Sequence, residues 1–227
     1  MSDKLTVLII AAHPDDEVLG CGGAIARHVS RGDAVNVLFL ADGATSRQGA
    51  GDTELQSRRQ AARAASESLG AQPPRFLDFP DNRMDGIPLL DIVQTIEAVL
   101  DEVDPVTVYT HHGGDLNVDH RVVHQAAVTA CRPLPGRNVR KIYAFETPSS
   151  TEWNTTATGP VFAPSHFVDI SGFIETKLKA LACYEEEIPP FPHARSLKAL
   201  EALAILRGTS VGIGAAEAFE VIRQIEA

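Results

Sequence analysis

Apolar, β-branched runs alternate along this chain with amphipathic stretches, and that spacing predicts its elements. Residues 5–11 (LTVLIIA) are apolar throughout, the pattern of a strand covered on both faces. Residues 17–31 (EVLGCGGAIARHVSR) predict a helix ending near Gly32, and residues 34–40 (AVNVLFL) a second strand. Residues 53–70 are Ala-rich and predict a helix with Thr53 as N-cap and Gly70 as its stop. A short strand follows at 75–79, then a helix at 88–103 with Pro88 in its first turn. Strands at 106–110 and 139–145 flank a helix at 119–131. The rhythm then changes: 147–165 is rich in Thr, Ser and Pro and reads as a loop. FVDI (167–170) reads as a strand, and helices near 172–184, 196–207 and 215–226 finish the chain.

Strand–helix alternation with short connections implies an α/β fold. The expected architecture is a Rossmann-like, mostly parallel sheet flanked by helices on both faces, with extra C-terminal helices, as one domain over 1–227. In such sheets ligands bind beyond the carboxyl ends of the strands. Strand one ends in "AAHPDDEVLG", so His13, Pro14, Asp15, Asp16 and Glu17 have a positional reason to be functional.

Composition narrows the classes. The chain has 227 residues, ample for a proper core, and a formal net charge of −10 with no long Lys/Arg run. Attraction to nucleic acid or an anionic membrane through bulk charge is thereby disfavoured. Three scattered cysteines argue against a disulfide framework and a thiolate zinc site. The N-terminal apolar run reads as a core strand rather than a signal peptide, and no stretch approaches the ~18 apolar residues of a membrane span. The expected location is cytoplasmic.

His13 and Asp16 stand three apart, and Pro14 fixes one backbone angle between them. A tight turn there would point an imidazole and a carboxylate to one side, as ligands for a divalent metal. Asp15 would stay free beside the metal, able to take a proton from water there. The plainer reading is that Asp15 or Asp16 caps the following helix. The fourth strand runs into HHGGDLNVDHRVVHQA, a second cluster after a strand end. His120, in the first turn of its helix, is the candidate third ligand; His124 lies one turn deeper and reads as a surface or core residue. His111 and His112 either shape the pocket or are structural. His13, Asp16 and His120 would leave a fourth position open, the pattern of a catalytic zinc centre. Asp119 would orient a ligand from behind.

AHPDDE together with DLNVDHR resembles the PIG-L/LmbE family of metal-dependent N-deacetylases. ELQSRRQAARAASESLG, FPDNRMDG, ETPSSTEW and HARSLKALEALAILRG with AEAFEVIR resemble further family segments, so the likeness spans nearly the whole chain. It implies hydrolysis of an N-acetyl amide on an N-acetylglucosamine-type sugar conjugate, with zinc or ferrous iron as cofactor. It implies His13, Asp16 and His120 as metal ligands and Asp15 as general base. Arg58 falls at the family's substrate-binding arginine, with Arg59 adjacent, and Asp81 at a loop that binds sugar hydroxyls. One departure stands out: several members carry a histidine where this chain has Asn117. Asparagine can donate to an oxyanion but cannot deliver a proton at neutral pH. His193, in the PPFPHARS loop, is a candidate for the missing group. The resemblance allows a monomer as well as a trimer or hexamer.

Two rival readings are weaker. GCGG at 20–23 lacks GxGxxG spacing and follows acids that would repel a pyrophosphate, against a nucleotide- or sugar-binding module without catalysis. Two histidines and a carboxylate also describe non-haem iron oxygenases, but those use a closer His-x-acid pair.

Overall fold

The computed structural model describes residues 4–43, 51–156 and 159–226, with the backbone alone for residue 52. Among these the order is β1 (Thr6–Ala11), α1 (Asp16–Ser30), β2 (Ala34–Ala41), α2 (Asp52–Leu69), β3 (Arg75–Phe79), α3 (Leu89–Val103) and β4 (Thr107–His111). Then come α4 (Val118–Ala130), β5 (Lys141–Phe145), β6 (His166–Asp169), α5 (Ile174–Ala182), α6 (Leu197–Thr209) and β7 (Ala216–Gln224). The predicted core strand at the N-terminus is β1; Met1–Asp3 fall outside the described residues. The Thr/Ser/Pro-rich stretch carries neither helix nor strand among its described residues, and 157–158 lie outside them.

The strands form one sheet in the order β3-β2-β1-β4-β5-β7-β6. The first five are parallel, while β7 runs antiparallel to both β5 and β6. The uninterrupted apolar run of β1 is explained by two covers. Val7, Ile9 and Ala11 pack into a core with α1, α2, α5 and α6, and Leu8, Ile10 and Ala12 into one with α3 and α4.

Two expectations are corrected. Residues 215–226 form a strand, not a helix. Their Ala and Glu favour a helix locally. In the fold, however, this segment covers the edge that β5 would otherwise leave unpaired, and its alternation sends Glu217 and Phe219 towards α1. Thr53 is not the N-cap of α2; Gly51 is, and Gly70 ends that helix with φ +75° as its spacing predicted.

The glycines of GCGG serve packing. A Cβ on Gly20 would strike the Phe145 ring, and one on Gly23 would lie 2.7 Å from Ile170. They let α1 sit close on the sheet, which accounts for them without a nucleotide. No described helix is long and apolar enough to cross a membrane.

Candidate metal centre and active site

The connection from β1 runs to β2 on one side, and β4 lies on the other side of β1, so the crevice between β1 and β4 is the sheet's switch point. Both sequence clusters open into it. His13, Asp15 and Asp16 leave β1; Asp115, Asn117, Asp119 and His120 leave β4; Asp81 and Asn82 follow β3.

One ligand atom from each of His13, Asp16 and His120 lies within 4.8 Å of the others, and all three residues are buried. His13 Nδ1 and His120 Nε2 each stand 3.3 Å from Asp16 Oδ2. That oxygen also accepts the His13 backbone N–H at 2.8 Å, which closes the turn around Pro14. Asp16 Oδ1 is buried without a hydrogen-bond partner, and neither ring nitrogen of buried His120 is aligned for a hydrogen bond to the carboxylates beside it. Buried polar atoms are rarely left so, and a nitrogen–oxygen donor set of this kind fits a divalent cation. His13, Asp81 and Asp119 form a second such triplet, with His13 Nε2 3.0 Å from each acid.

The electrostatics agree. Burial disfavours the charged form of His120, yet Asp16 and Asp115 push its pKa up to about 9. Burial likewise opposes ionisation of Asp16, but His120, with the His13 contact, holds its carboxyl well below the usual range. The acids of this crevice thus strongly favour a positive charge among them. Asp115 stands behind His120, 3.1 Å from Nδ1, and is itself held by Ser150 Oγ, by Thr151 Oγ1 at 2.6 Å and by the Asn117 N–H at 2.9 Å. His111 stacks on His120 with ring centroids 3.9 Å apart, and its Nε2 accepts the Ala12 N–H at 2.9 Å. Burial and the neighbouring His120 hold His111 well below the usual histidine range, so it stands neutral and structural. His112 and His124 also look away: His112 pairs with Glu220 at 2.6 Å, and His124 Nδ1 donates to the His111 carbonyl at 2.7 Å.

Asp15 faces differently from Asp16. It lines a polar cavity of about 180 Å³ with His13, Arg58, Asp81, Asn82, Asn117, Glu187 and Arg195. Burial raises its pKa to about 6 against the opposing pull of Arg195, whose Nη1 donates to Asp15 Oδ2 at 2.8 Å. Its backbone has φ 125°, in the region that favours glycine. Glu17 holds the turn, accepting the Asp15 N–H at 3.1 Å and the Tyr184 hydroxyl at 2.6 Å. Burial pushes the Glu17 carboxyl up to about 8.

Of the remaining candidates, Arg58 rather than Arg59 reaches the cavity; it pairs with Glu187 at 2.8 Å, while Arg59 pairs with Asp78 outside. Asp119 accepts from the Asn82 and Met84 N–H groups at 2.7 and 3.0 Å as well as standing at His13, so it ties the β3 loop to α4. Asn117 is the N-cap of α4: its Oδ1 accepts the Asp119 N–H at 2.8 Å and its Nδ2 donates to Asn82 Oδ1 at 3.1 Å. His193 is not among the residues lining the cavity. Its ring meets Trp153 edge-on, and its Nδ1 accepts the Arg195 N–H at 3.1 Å. Arg195, Asp115 and Glu17 were without a role in the sequence reading. Asp115 had a faint signal in its place five residues before His120; Arg195 had none, lying 180 residues from the carboxylate it meets.

Residues 8–131 match the GlcNAc-PI de-N-acetylase (PIG-L) family. The chain is 30% identical over 204 residues to a diacetylchitobiose deacetylase of Thermococcus kodakarensis, covering 83% of this chain and 72% of that one. It is also 30% identical over 198 residues to a 4-oxalmesaconate hydratase of Pseudomonas putida, covering 78% and 72%. The crystal structure of the conserved protein TT1542 from Thermus thermophilus superposes with a TM-score of 0.77 at 26% identity, over 98% of this chain and 97% of that one. The match over residues 8–131 takes in both strand-end clusters, and the fold agrees along almost the whole length: this chain belongs to the PIG-L family of de-N-acetylases.

Proposed function

We propose that this protein is a zinc-dependent N-deacetylase that hydrolyses the acetamide of an N-acetylglucosamine-type sugar conjugate, releasing acetate and a free amine. The observation that carries the reading is the pairing of buried Asp16, whose Oδ1 is unfilled, and His120 at one donor set, with Asp15 on the cavity side of the same turn. His13, Asp16 and His120 would hold the ion. Zinc or ferrous iron bound there supplies Lewis acidity to the attacking water and to the acetyl carbonyl.

The residues of the chain do the rest. Asp15 accepts the proton of the attacking water on its carboxylate and passes it to the departing nitrogen. Arg195 aligns that carboxylate and keeps a positive charge at the cavity wall, where the tetrahedral oxyanion gains from it. Asn117 is committed to capping α4 and to Asn82, which leaves proton delivery to Asp15. Asp119 fixes the His13 ring, and Arg58 and Asp81 bind the sugar. The partner is a small N-acetylated sugar conjugate, handled in the cytoplasm.

The test is acetate release from a panel of N-acetylglucosamine conjugates by chelator-treated protein, with and without added zinc. Zinc-restored acetate release is expected. A zinc-loaded protein that frees no acetate from any conjugate, or hydrates an unsaturated acid instead, overturns the reading.

A further inference from the structure

Two cavities meet at the Arg58–Glu187 ion pair. One is the polar cavity that Asp15 faces. The other is larger, about 340 Å³, and lies between α2, which supplies Ser57 and Gln60, and the turn carrying Glu185 and Glu186. Arg58 and Glu187 line both. The space that holds the reacting carboxylate therefore adjoins, at this one ion pair, a second space of the size that holds a small ligand.

We propose that the larger cavity receives the part of the substrate beyond the acetylated sugar, and that it takes a neutral, hydroxyl-rich group and disfavours an anionic one. The inference rests on the deacetylase reading above. Its argument is charge. Glu185, Glu186 and Glu187 present three carboxylates in a row on one wall. The nearby cation, Arg58, is already engaged by Glu187 at 2.8 Å, so its charge is not on offer to a phosphate or carboxylate. Glu185 and Glu186 are exposed and stand in no ion pair among the described residues. Neutral hydrogen-bonding groups are at hand. Ser57 and Gln60 line the space beside the small Ala61 and Ala64, so a ligand hydroxyl or ether oxygen there meets neutral side chains that donate and accept. Carboxylates near the mouth of a cavity repel an anion over a Debye length, an effect that salt removes.

The test compares N,N′-diacetylchitobiose, which is neutral, with N-acetylglucosaminyl malate, which is anionic. Both are offered to the wild-type protein and to the E185Q/E186Q double variant, two exposed positions away from the reacting groups. The readouts are kcat/KM for acetate release and Kd by calorimetry at low and high salt. The wild type should favour the neutral conjugate. The double variant should improve on the malate conjugate about three- to tenfold at low salt, leave diacetylchitobiose within about twofold, and lose its advantage at high salt. An unchanged ratio between the two probes in the variant overturns the inference. So does a wild type that binds the malate conjugate more tightly, or one that binds neither. Acetate from neither probe would sink the deacetylase reading alone, and the calorimetric ratio would still decide this one.

Discussion

Two clusters of buried charge lie along α1, and they are built on opposite rules. At mid-helix, Lys177 donates to Glu217 at 2.6 Å and to the Leu19 carbonyl at 2.9 Å, while Glu217 accepts the Gly23 and Ala24 N–H groups at 2.9 and 2.7 Å. Each charge there has its answer. At the N-terminal end of the same helix, Asp16 and His120 are as deeply buried, yet Asp16 Oδ1 lacks a partner and neither His120 nitrogen makes an aligned hydrogen bond to the acids beside it. A chain that needed only stability gains nothing from leaving such atoms unfilled. The completed network joins α1, α5 and β7 and belongs to the scaffold. The incomplete one is what the proposed metal would complete.

That contrast can be broken by experiment, starting where the effect should be largest. Asp16→Asn should strip bound zinc and lower turnover by about 10³-fold or more, with folding intact; elemental analysis showing full zinc would remove Asp16 from the ligand set. Asp15→Asn should keep its zinc and lose about 10²- to 10⁴-fold in kcat, so normal turnover in a zinc-replete variant ends the base assignment. Lys177→Met attacks the other cluster and leaves buried Glu217 without its counter-charge, held only by the Gly23 and Ala24 N–H groups. It should cost about 3–5 kcal/mol in urea denaturation while zinc content per folded molecule stays unchanged. If Lys177→Met lost zinc as readily as Asp16→Asn, the division between the clusters would be false.

The smallest effect concerns the His112–Glu220 pair, which braces the loop after β4 against β7. Burial lowers the His112 pKa, but the Glu220 carboxylate and the Pro160 carbonyl outweigh it and leave the value raised. Glu220 is held below its ordinary value by the same contact, against its own burial. The sign follows from both. The His112 contribution is full below its ordinary 6.5 and fades as pH rises through the raised value; the Glu220 contribution is present above its ordinary 4.5 and fades as pH falls through the lowered one. Thermal melts should show a plateau between these limits worth about 1 kcal/mol or less, and Glu220→Gln should flatten it.

The legible part of the site was the part that sits at strand ends. HPDD and VDH follow apolar runs directly, so topology alone brings His13, Asp16 and His120 to one crevice. Arg195 was illegible because an irregular loop delivers it, and no periodicity records where such a loop folds back. The same limit explains His193: the histidine was the expected chemistry, but the backbone turns it to Trp153 and sends the arginine two places on into the cavity. β7 was misread for a related reason. Ala and Glu prefer a helix in isolation, and the open edge of β5 that overrides them is a tertiary fact.

The backbone at Asp15 carries a further consequence. With φ at 125°, this position would be most comfortable as glycine. The chain instead keeps a side chain there, and a carboxylate that burial makes reluctant to ionise. Backbone comfort and charge pairing therefore pull one codon in opposite directions: Asp15→Gly would relax the turn but leave the Arg195 guanidinium without the carboxylate it meets, and under the proposed mechanism nothing would be left to move the proton.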